Sequence, residues 1–325
     1  MLGSQISLKI LANAGFQLIT ITRMIYLPRT IYEAEHIEFR RTVRNWIESE
    51  IAPNHEQWER DGIVPRSVWE DAGMRGFLGI AVPEIYGGGG SEDFRFAAII
   101  SEEIGFAGVV GGAHGFTVHN DIVLPYILSL ANDEQKMRWL PKMVSGKYIG
   151  ALAITEPNTG SDMGAIKTTA LLDGDEYIVN GSKTFISNGI NSDVIVAAVR
   201  TSPDLGKKGI SLLVIERGMS GFERGRNLEK IGKHSQDTAE LFFNDMRVPS
   251  SNLLGLEGDG MKYLMHNLAQ ERLSIAVDAV AVAVAAFPLI SPPIVELKVL
   301  APAIVCDPVV ITPLAVALAS GRLNV

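Results

Sequence analysis

The hydrophobic period of the chain changes twice, and these changes constrain the fold more than any other feature of the sequence. Before about residue 150, apolar residues recur at helical intervals. From Gly150 to about Pro249, short strand-like runs are separated by Gly, Asn, Asp or Pro. From Gly258 to Phe287 the pattern is that of one long helix, which becomes almost wholly apolar. The sequence therefore predicts a multidomain α+β protein with a helical domain, a β-barrel or sandwich domain, and the start of a second helical domain.

Four helices are predicted before the β domain. They cover Ile31 to about Glu50, a short segment after Ser67, Phe94 to about Ser129, and Asp133 to Leu140. Pro53 is expected to end the first helix, and Ser67 to cap the second. Asn132 and Gln135 fit a capping box that opens the fourth. His114 and His119 lie in the third, where we interpret them as packed structural residues.

Five runs in the β region have strand character. They are 165–173, 176–179, 193–199, 210–216 and 239–243. Asp173-Gly174-Asp175 predicts a hairpin between the first two. No strand followed by GxGxxG and a helix occurs, which argues against a Rossmann-type nicotinamide site. The glycines at 87–90 precede acidic residues and no Lys-Ser/Thr pair, so they do not fit a phosphate loop.

Composition narrows the classes of function. The 325 residues carry a formal net charge of −8, which argues against a nucleic-acid groove or a polybasic membrane anchor. Cys306 is the single cysteine, so no intrachain disulfide can form, as suits the cytoplasm, or the mitochondrial matrix in a eukaryote. No Cys/His cluster has metal-ligand spacing, and no metal is expected. The apolar stretch near residues 8–21 is too short for a membrane span.

Two turns form the candidate binding site. Leu152-Ala153-Ile154 leads into the polar run 155–162, and Thr184-Phe185-Ile186 leads into Ser187-Asn188-Gly189. Turns of this chemistry present N–H and hydroxyl groups at the end of a sheet, where they can hold a flat polar ring. Phe185 is placed to cover one face of such a ring. The alternative is a pair of ordinary loops.

The residues of these turns resemble a known family. TEPNTGSD at 155–162, followed by NGSKTFISNG at 180–189, closely resembles the flavin-binding β domain of the acyl-CoA dehydrogenases. The resemblance runs from about Met24 to about Phe287 and is greatest to the long-chain and isovaleryl-type members. It includes the segments APNHEQWERDG, VPEIYGG, DEQKMRWLPKMVSG, GKHSQDTAELFFNDMRVP and LAQERLSIA.

The resemblance implies an FAD-dependent oxidoreductase that converts an acyl-CoA thioester to a trans-2-enoyl-CoA in fatty-acid or branched-chain acyl oxidation. A carboxylate would take the α proton while a hydride leaves the β carbon for flavin N5. Such a base must be desolvated, which raises its pKa, and the enolate needs donors at the thioester oxygen. Glu271, where the long helix turns from polar to apolar, is the candidate base. The alternative is that Glu271 pairs with Arg272 on an exposed face.

The resemblance also assigns contact residues. FAD is expected to contact Leu152, Ala153, Ile154, Thr155, Ser161, Phe185, Ile186 and Ser187. Phe185 would stack near the isoalloxazine and Ser187 would bond its N5/O4 edge, where many members have Trp and Thr. The substrate is expected to contact Ser161, Ala269, Gln270 and Arg272. Gln236-Asp237-Thr238 is interpreted as a structural turn.

Domain boundaries follow from the same resemblance. Residues 24–149 are predicted as the helical domain, 150–250 as the flavin-binding β domain, and 251–287 as the first helix of the C-terminal bundle. Residues 1–23 are interpreted as an upstream extension, with a targeting peptide as the alternative. Residues 288–325 contain six of the fifteen prolines and match no family segment. A shifted reading frame or a spliced or damaged gene is one interpretation of this aberrant tail, and a novel tail is the other.

Three functions follow as alternatives. The first is the dehydrogenase, with an electron-transfer flavoprotein as electron acceptor and a homotetramer as the usual assembly of intact relatives. Because the C-terminal bundle is incomplete, we expect the chain to purify without yellow colour. The second is an inactive remnant that binds acyl-CoA or a partner without turnover. The third is a related flavoenzyme such as a nitroalkane oxidase or an acyl-CoA oxidase, and a carboxylate on this helix argues against the former.

Overall fold

The computed structural model describes residues 30–290, and helices occupy the first part of this range. They are α1 Ala34–Trp46, α2 Ala52–Asp61, α3 Arg66–Met74, α4 Phe94–Ala107, α5 Val110–Thr117, α6 Leu124–Leu130 and α7 Asp133–Val144. Two π-helical turns, Ile47–Ile51 and Val118–Val123, connect α1 to α2 and α5 to α6. The core of this region contains the buried aromatic residues Trp46, Trp69, Phe77 and Phe116.

The prediction that Pro53 ends the first helix is wrong. The chain continues through the π turn into α2, with Pro53 in the first turn of that helix. The π turn just before Pro53 accommodates the proline, and the Ala52 N–H at its end donates to the Ile47 carbonyl five residues back. The predicted cap at Ser67 is also wrong, since α3 begins one residue earlier, at Arg66, with Pro65 in the N-cap position.

The capping box of α7 is confirmed. The Asn132 side chain accepts a hydrogen bond from the Gln135 N–H at 2.8 Å, and the Gln135 side chain accepts one from the Asn132 N–H at 2.9 Å. The Gln135 amide also donates to the carbonyls of Ser251 and Leu253. The same residue therefore starts a helix and ties it to the segment that follows the sheet.

The middle of the chain forms an eight-stranded sheet. Its strands are β1 Gly150–Ala153, β2 Thr169–Asp173, β3 Glu176–Ser187, β4 Val194–Arg200, β5 Ile210–Glu216, β6 Phe222–Asn227, β7 Thr238–Pro249 and β8 Leu253–Leu254. The order is β6-β7-β3-β2-β4-β5-β8, and β1 pairs in parallel with β4. The predicted strand 210–216 matches β5, whereas β3 and β7 are longer than the predicted 176–179 and 239–243.

Strand β4 separates two hydrophobic cores. Val194, Val196 and Ala198 face a cluster that includes residues of α6 and α7. The alternate residues Ile195, Ala197 and Val199 face the interior of the sheet. Because successive side chains of a strand point to opposite faces, one strand seals both cores. The helical region is thereby packed directly against the β region.

The chain returns to helix in α8, Gly260–Ile290. The predicted bounds, Gly258 and Phe287, differ from these by two and three residues. Its inner side packs against α4, where Gly105 lies so close that an added Cβ would meet the Ala281 Cβ at 2.6 Å. Buried residues of α8 are Leu264, Ser274, Val277, Asp278 and Ala281. Within residues 30–290 the opposite side is exposed, as at Ile275, which is 53% exposed.

These elements confirm the predicted fold class: a helical region, a β region, and the start of a further helical region. The interpretations of residues 1–23 and of most of the tail lie outside the described residues. Within the part of the chain that the structure describes, no helix combines the length and apolarity needed to cross a membrane.

Candidate active site

The first turn of the site follows β1 and is held from beneath by a buried ion pair. Lys183, fully buried on β3, donates from Nζ to the Ile154 carbonyl at 3.0 Å and to Glu156 Oε1 at 2.8 Å. The Glu156 carboxylate also accepts the N–H groups of Lys167 and Thr168 at 2.7 and 2.9 Å. Every charge here has a partner, so the turn is fixed in position.

Burial has different net effects on these two charges. It lowers the pKa of Lys183 to about 8, although Glu156 opposes the shift. Burial acts to raise the pKa of Glu156, but Lys183 and the hydrogen-bond donors outweigh it and the pKa is lowered. Glu156 is therefore held as a carboxylate.

The second turn is joined directly to the first. The Thr184 N–H donates to the Thr155 carbonyl at 2.9 Å. The next residue, Phe185, has φ of 58° at an irregularity in the pairing of β3 with β7, and its side chain is 68% exposed. A positive φ is costly for a bulky aromatic residue, and such strain concentrates at functional sites. The backbone is distorted where an aromatic face is presented outward.

Buried amide and carboxylate groups anchor the end of the second turn. Asn188 donates from Nδ2 to the carbonyls of Gly115 on α5 and Gly150 on β1, each at 3.0 Å. Asp237 accepts the N–H groups of Ile190 and Asn191 at 2.7 and 3.1 Å. This contact agrees with the structural role predicted for the Gln236-Asp237-Thr238 turn.

Three arginines bind the carbonyls that follow this turn. Arg66 donates to the Asn191 carbonyl, Arg217 to those of residues 190 and 191, and Arg224 to those of residues 189 and 192. Arg66 and Arg217 also pair with Asp193 at 2.7 and 2.8 Å. The loop after Ser187 is thus clamped from three different elements.

The predicted flavin contacts divide into exposed and buried residues. Ser161 and Phe185 are exposed, and Leu152, Ile154, Thr155 and Ser187 are half-buried. Ala153 and Ile186 have side chains in the sheet core, so only their backbone faces the turns. Within residues 30–290 the structure gives no hydrogen bond to the hydroxyls of Thr155, Ser161 and Ser187. Free hydroxyls beside an exposed aromatic face fit a flat, polar, hydrogen-bonding ring system such as a flavin.

Glu271 is half-buried on α8, and a tyrosine holds its carboxylate. The Tyr126 hydroxyl, from α6, donates to Glu271 Oε1 at 2.8 Å. Burial raises the pKa of Glu271, while the Tyr126 hydrogen bond and the Arg272 charge oppose the shift. A desolvated carboxylate with no buried ion-pair partner has the environment of a general base.

A second buried carboxyl lies beside this helix. Asp121, in the π turn before α6, contacts the Ser274 hydroxyl, and its carbonyl accepts from Gln270 Nε2 at 3.2 Å. Burial raises the pKa of Asp121 to about 7. The π turn is therefore bonded to two residues that flank Glu271 on α8.

A cavity of about 360 Å³ opens next to these groups. Its walls come from residues 79–82, the start of α4, the π turn with α6, and one face of α8. His266, Asn267 and Gln270 supply the α8 wall, and Leu124 and Leu128 supply part of the apolar wall. Its size is that of a small-molecule site.

The two halves of the site share one hydrophobic cluster. Tyr126 belongs to it, and Leu152 and Ile154 of the first turn pack against it. Gln270 lines the cavity, whereas Glu271, the next residue on α8, and the residues of the two turns are not part of its wall. The other two predicted substrate contacts on α8, Ala269 and Arg272, are exposed and lie outside the cavity wall.

Some groups of this site were not predicted. Tyr126 and Asp121 lie in an apolar helical stretch, and no role was predicted for them from the sequence. An acidic residue in such a stretch is itself a signal of a functional or paired group. Lys183 lies in the segment NGSKTFISNG, and its ion pair with Glu156 was not predicted. The signal for a buried ion pair is a lysine on β3, five residues before Asn188, together with the acidic Glu156 in the other turn.

The histidines and the possible metal ligands lie elsewhere. His119 is buried and accepts the Gly150 N–H at 2.9 Å, and burial lowers its pKa to about 4, as fits a structural residue. Within the described range, Glu33, Glu35 and His36 could in principle hold a metal. Both ring nitrogens of His36 are already bonded, to the Glu33 N–H and to Asp93.

Comparison with known proteins agrees with this architecture. Residues 33–147 match the model of the acyl-CoA dehydrogenase N-terminal domain, and residues 151–246 match that of the middle domain. A solved acyl-CoA dehydrogenase from Geobacillus kaustophilus is 51% identical, with a TM-score of 0.78, over 80% of this chain and 68% of that one. An acyl-CoA dehydrogenase complexed with FAD from Bacillus anthracis is 31% identical, with a TM-score of 0.72, over 79% and 43%.

Among curated proteins, the mitochondrial long-chain specific acyl-CoA dehydrogenase of Sus scrofa is 48% identical over 254 residues, which are 78% of this chain and 58% of that protein. The chain therefore spans little more than half the length of this relative. The chain belongs to the acyl-CoA dehydrogenase family, a family of oxidoreductases.

Proposed function

We propose that the chain carries the site of an FAD-dependent acyl-CoA dehydrogenase, in which Glu271 removes the α proton of an acyl-CoA thioester. The observation that carries this proposal is the Glu271 environment. Its carboxylate is half-buried, has a raised pKa, and lies on the helix that walls the 360 Å³ cavity. A surface glutamate paired with a cation would have a lowered pKa.

The two turns would hold the cofactor. The hydroxyls of Thr155, Ser161 and Ser187 would bond its polar edge, and Phe185 would cover one face. FAD, when bound, accepts the hydride from the substrate β carbon. Two observations support this assignment: the strained outward placement of Phe185 and the bracing of both turns. A similar protein from Bacillus anthracis is described as complexed with FAD.

The cavity would take the acyl chain. Leucines on α6 offer the acyl chain apolar contact, and a bound acyl chain would displace water from the cavity beside the helix that carries Glu271. Gln270 would contact the substrate from α8. The long-chain name of the porcine relative supports a preference for medium to long or branched chains.

A flavin-reduction experiment tests this function. The purified chain is mixed with FAD, and an acyl-CoA is added without oxygen. We expect the flavin band to bleach, and E271Q to bleach at least about 100-fold more slowly, because general-base removal costs 10²–10⁴-fold. E134Q, on the exposed face of α7, is the matched control and should behave as wild type. Bleaching by E271Q at the wild-type rate would remove Glu271 from the mechanism.

Binding of acyl-CoA without turnover is the second candidate function. The cavity supports this function, because all the residues that line it lie between Gly79 and Gln270, within the described range. The face that would hold the flavin is not covered in the same way, since Phe185 is 68% exposed within residues 30–290. Calorimetry separates the two candidates. Heat of acyl-CoA binding in a preparation that takes up no flavin supports this one, and stoichiometric flavin supports the dehydrogenase.

The partners of a complete enzyme follow the family. We propose an electron-transfer flavoprotein as the electron acceptor and a homotetramer as the assembly. A location in the cytoplasm, or in the mitochondrial matrix in a eukaryote, would suit these partners.

A further inference from the structure

Tyr126 is the buried group that contacts Glu271 most directly. Its ring is fully buried in the cluster between α6, α7 and β4, and its hydroxyl donates to Glu271 Oε1 at 2.8 Å. A buried tyrosine hydroxyl needs a hydrogen-bond partner, and a packed phenol has few rotamers. Tyr126 therefore presents one fixed donor to a carboxylate on another helix.

The direction of this hydrogen bond follows from its acceptor, because an ionised carboxylate has no proton to donate. Burial and the Glu271 carboxylate raise the pKa of Tyr126, and the Asn267 side chain acts in the opposite direction, as a hydrogen-bond donor to the phenol oxygen would. The phenol proton then points to Glu271. Asn267 and Glu271 are four residues apart, on one face of α8. Asn267 also lines the cavity, so the chain of bonds runs from the cavity wall to the carboxylate.

We propose that Tyr126 is a positioning residue that fixes the orientation of the Glu271 carboxylate and sets its strength as a base. This inference rests on the proposed function, in which Glu271 is that base. Donation to the ionised form favours it, so Tyr126 offsets part of the effect of burial. A carboxylate held by one donor keeps its second oxygen free for the substrate proton.

Other charged groups near Glu271 are few in the described structure. On α8, Arg272 is its neighbour, and His266, five residues earlier, lines the cavity. Asp121 contacts Gln270 and Ser274 on the π-turn side. Glu92 and Asp93, at the start of α4, lie across the cavity. Strand β5 meets α8 only near Gly260, about three turns away. Tyr126 is the neighbour whose removal changes the Glu271 hydrogen bond without changing a charge.

The test is a titration of Glu271 in the whole chain. Protein labelled with carboxyl-¹³C glutamate is titrated by NMR, and E271Q identifies the resonance. In Y126F we expect the pKa of Glu271 to rise by about one pH unit, because hydrogen bonds to charged groups are among the stronger ones. N267A should move it in the same direction by less. An unchanged pKa in Y126F would overturn the proposal.

Y263F is the matched control. Tyr263 lies on α8, packs against the same cluster and bonds the Leu256 N–H, so its hydroxyl can be removed without touching Glu271. It should leave the Glu271 pKa unchanged. An equal rise in both variants would indicate general loosening of α8 and would also overturn the proposal.

The titration separates this inference from the proposed function. It needs no flavin and no turnover, so a shifted pKa in a chain that never bleaches supports the role of Tyr126 and removes the dehydrogenase. Where the chain does bleach, the acidic limb of the kcat/KM profile should move to higher pH in Y126F. A uniform loss of rate with an unmoved profile would contradict the proposal.

Discussion

The two halves of the site place their carboxylates in opposite environments. Under the first turn, Glu156 is paired with Lys183 and bonded by two N–H groups, and its pKa is lowered. Beside α8, Glu271 is bonded by a neutral tyrosine and Asp121 by a serine, and the pKa of each is raised. Paired charges hold a backbone in place, whereas an unpaired, desolvated carboxylate is ready to take a proton. The β half is thus built to stay fixed and the α8 half to titrate.

Breaking the ion pair between Lys183 and Glu156 should have the largest effect on the free energy of unfolding. We expect K183M to lose about 3–5 kcal/mol in its free energy of unfolding, because it leaves the Glu156 carboxylate buried without its cation. The pKa of Glu156 should then rise, as that of Glu271 already does. Urea denaturation measures the loss, and K167M, whose side chain is exposed, is the control. A loss below about 1 kcal/mol would mean that the two halves do not differ in this way.

Removing the Asp121 charge should change the free energy of unfolding in a pH-dependent way. The pKa of about 7 in the folded chain lies above the ordinary 3.8, so the folded state binds this proton more tightly and stability falls as pH rises from 4 to 7. D121N lacks that cost. It should equal wild type near pH 4 and exceed it at pH 8 by on the order of 4 kcal/mol. Urea curves at both pH values check this.

D175N is the control for that measurement, since Asp175 is exposed in a hairpin. It should follow wild type at both pH values. If D121N were less stable than wild type at pH 8, the Asp121 carboxylate would be paired in the folded chain, and the contrast with Glu156 would fail.

Separating α8 from α4 should have the smallest effect. In G105A the new Cβ would lie 2.6 Å from the Ala281 Cβ and 3.1 Å from the Val282 N, so the helices must move apart. We expect a loss of about 1–3 kcal/mol, as is usual for overpacking. G232A, where nothing lies within 4 Å, should change stability by less than about 0.5 kcal/mol. Equal values for the two variants would show that α8 does not depend on this packing.

Several helices and strands could be predicted from the sequence, but the contacts between residues far apart in the chain could not. Periodicity located α8 and β5 because a regular apolar pattern reports which face is buried. It could not reveal the Tyr126 contact with Glu271, since the two residues are 145 positions apart. The Lys183 pair was missed for the same reason. Pro53 was misjudged because proline is unfavourable inside a helix, but the π turn before it accommodates the ring.

The predicted cofactor contacts depended on the resemblance to the family more than on physical reasoning from the residues. Local chemistry located two turns but left ordinary loops as an alternative. The strained backbone at Phe185 supports a functional role for the second turn, but φ cannot be predicted from an aromatic residue in a strand-like run. Of the predicted contacts, the roles of individual side chains stay predictions until flavin binding is measured.

The left-handed backbone at Phe185 has a consequence for laboratory evolution of this protein. Asparagine and glycine tolerate that conformation, so replacing Phe185 by either would relieve about 1 kcal/mol of strain. The replacement would lose little buried apolar surface, because the Phe185 side chain is 68% exposed. Selection for thermal stability alone should therefore favour Asn or Gly at position 185, and the exposed aromatic face would be lost. Libraries that aim for a more stable protein should keep the codon for Phe185 fixed.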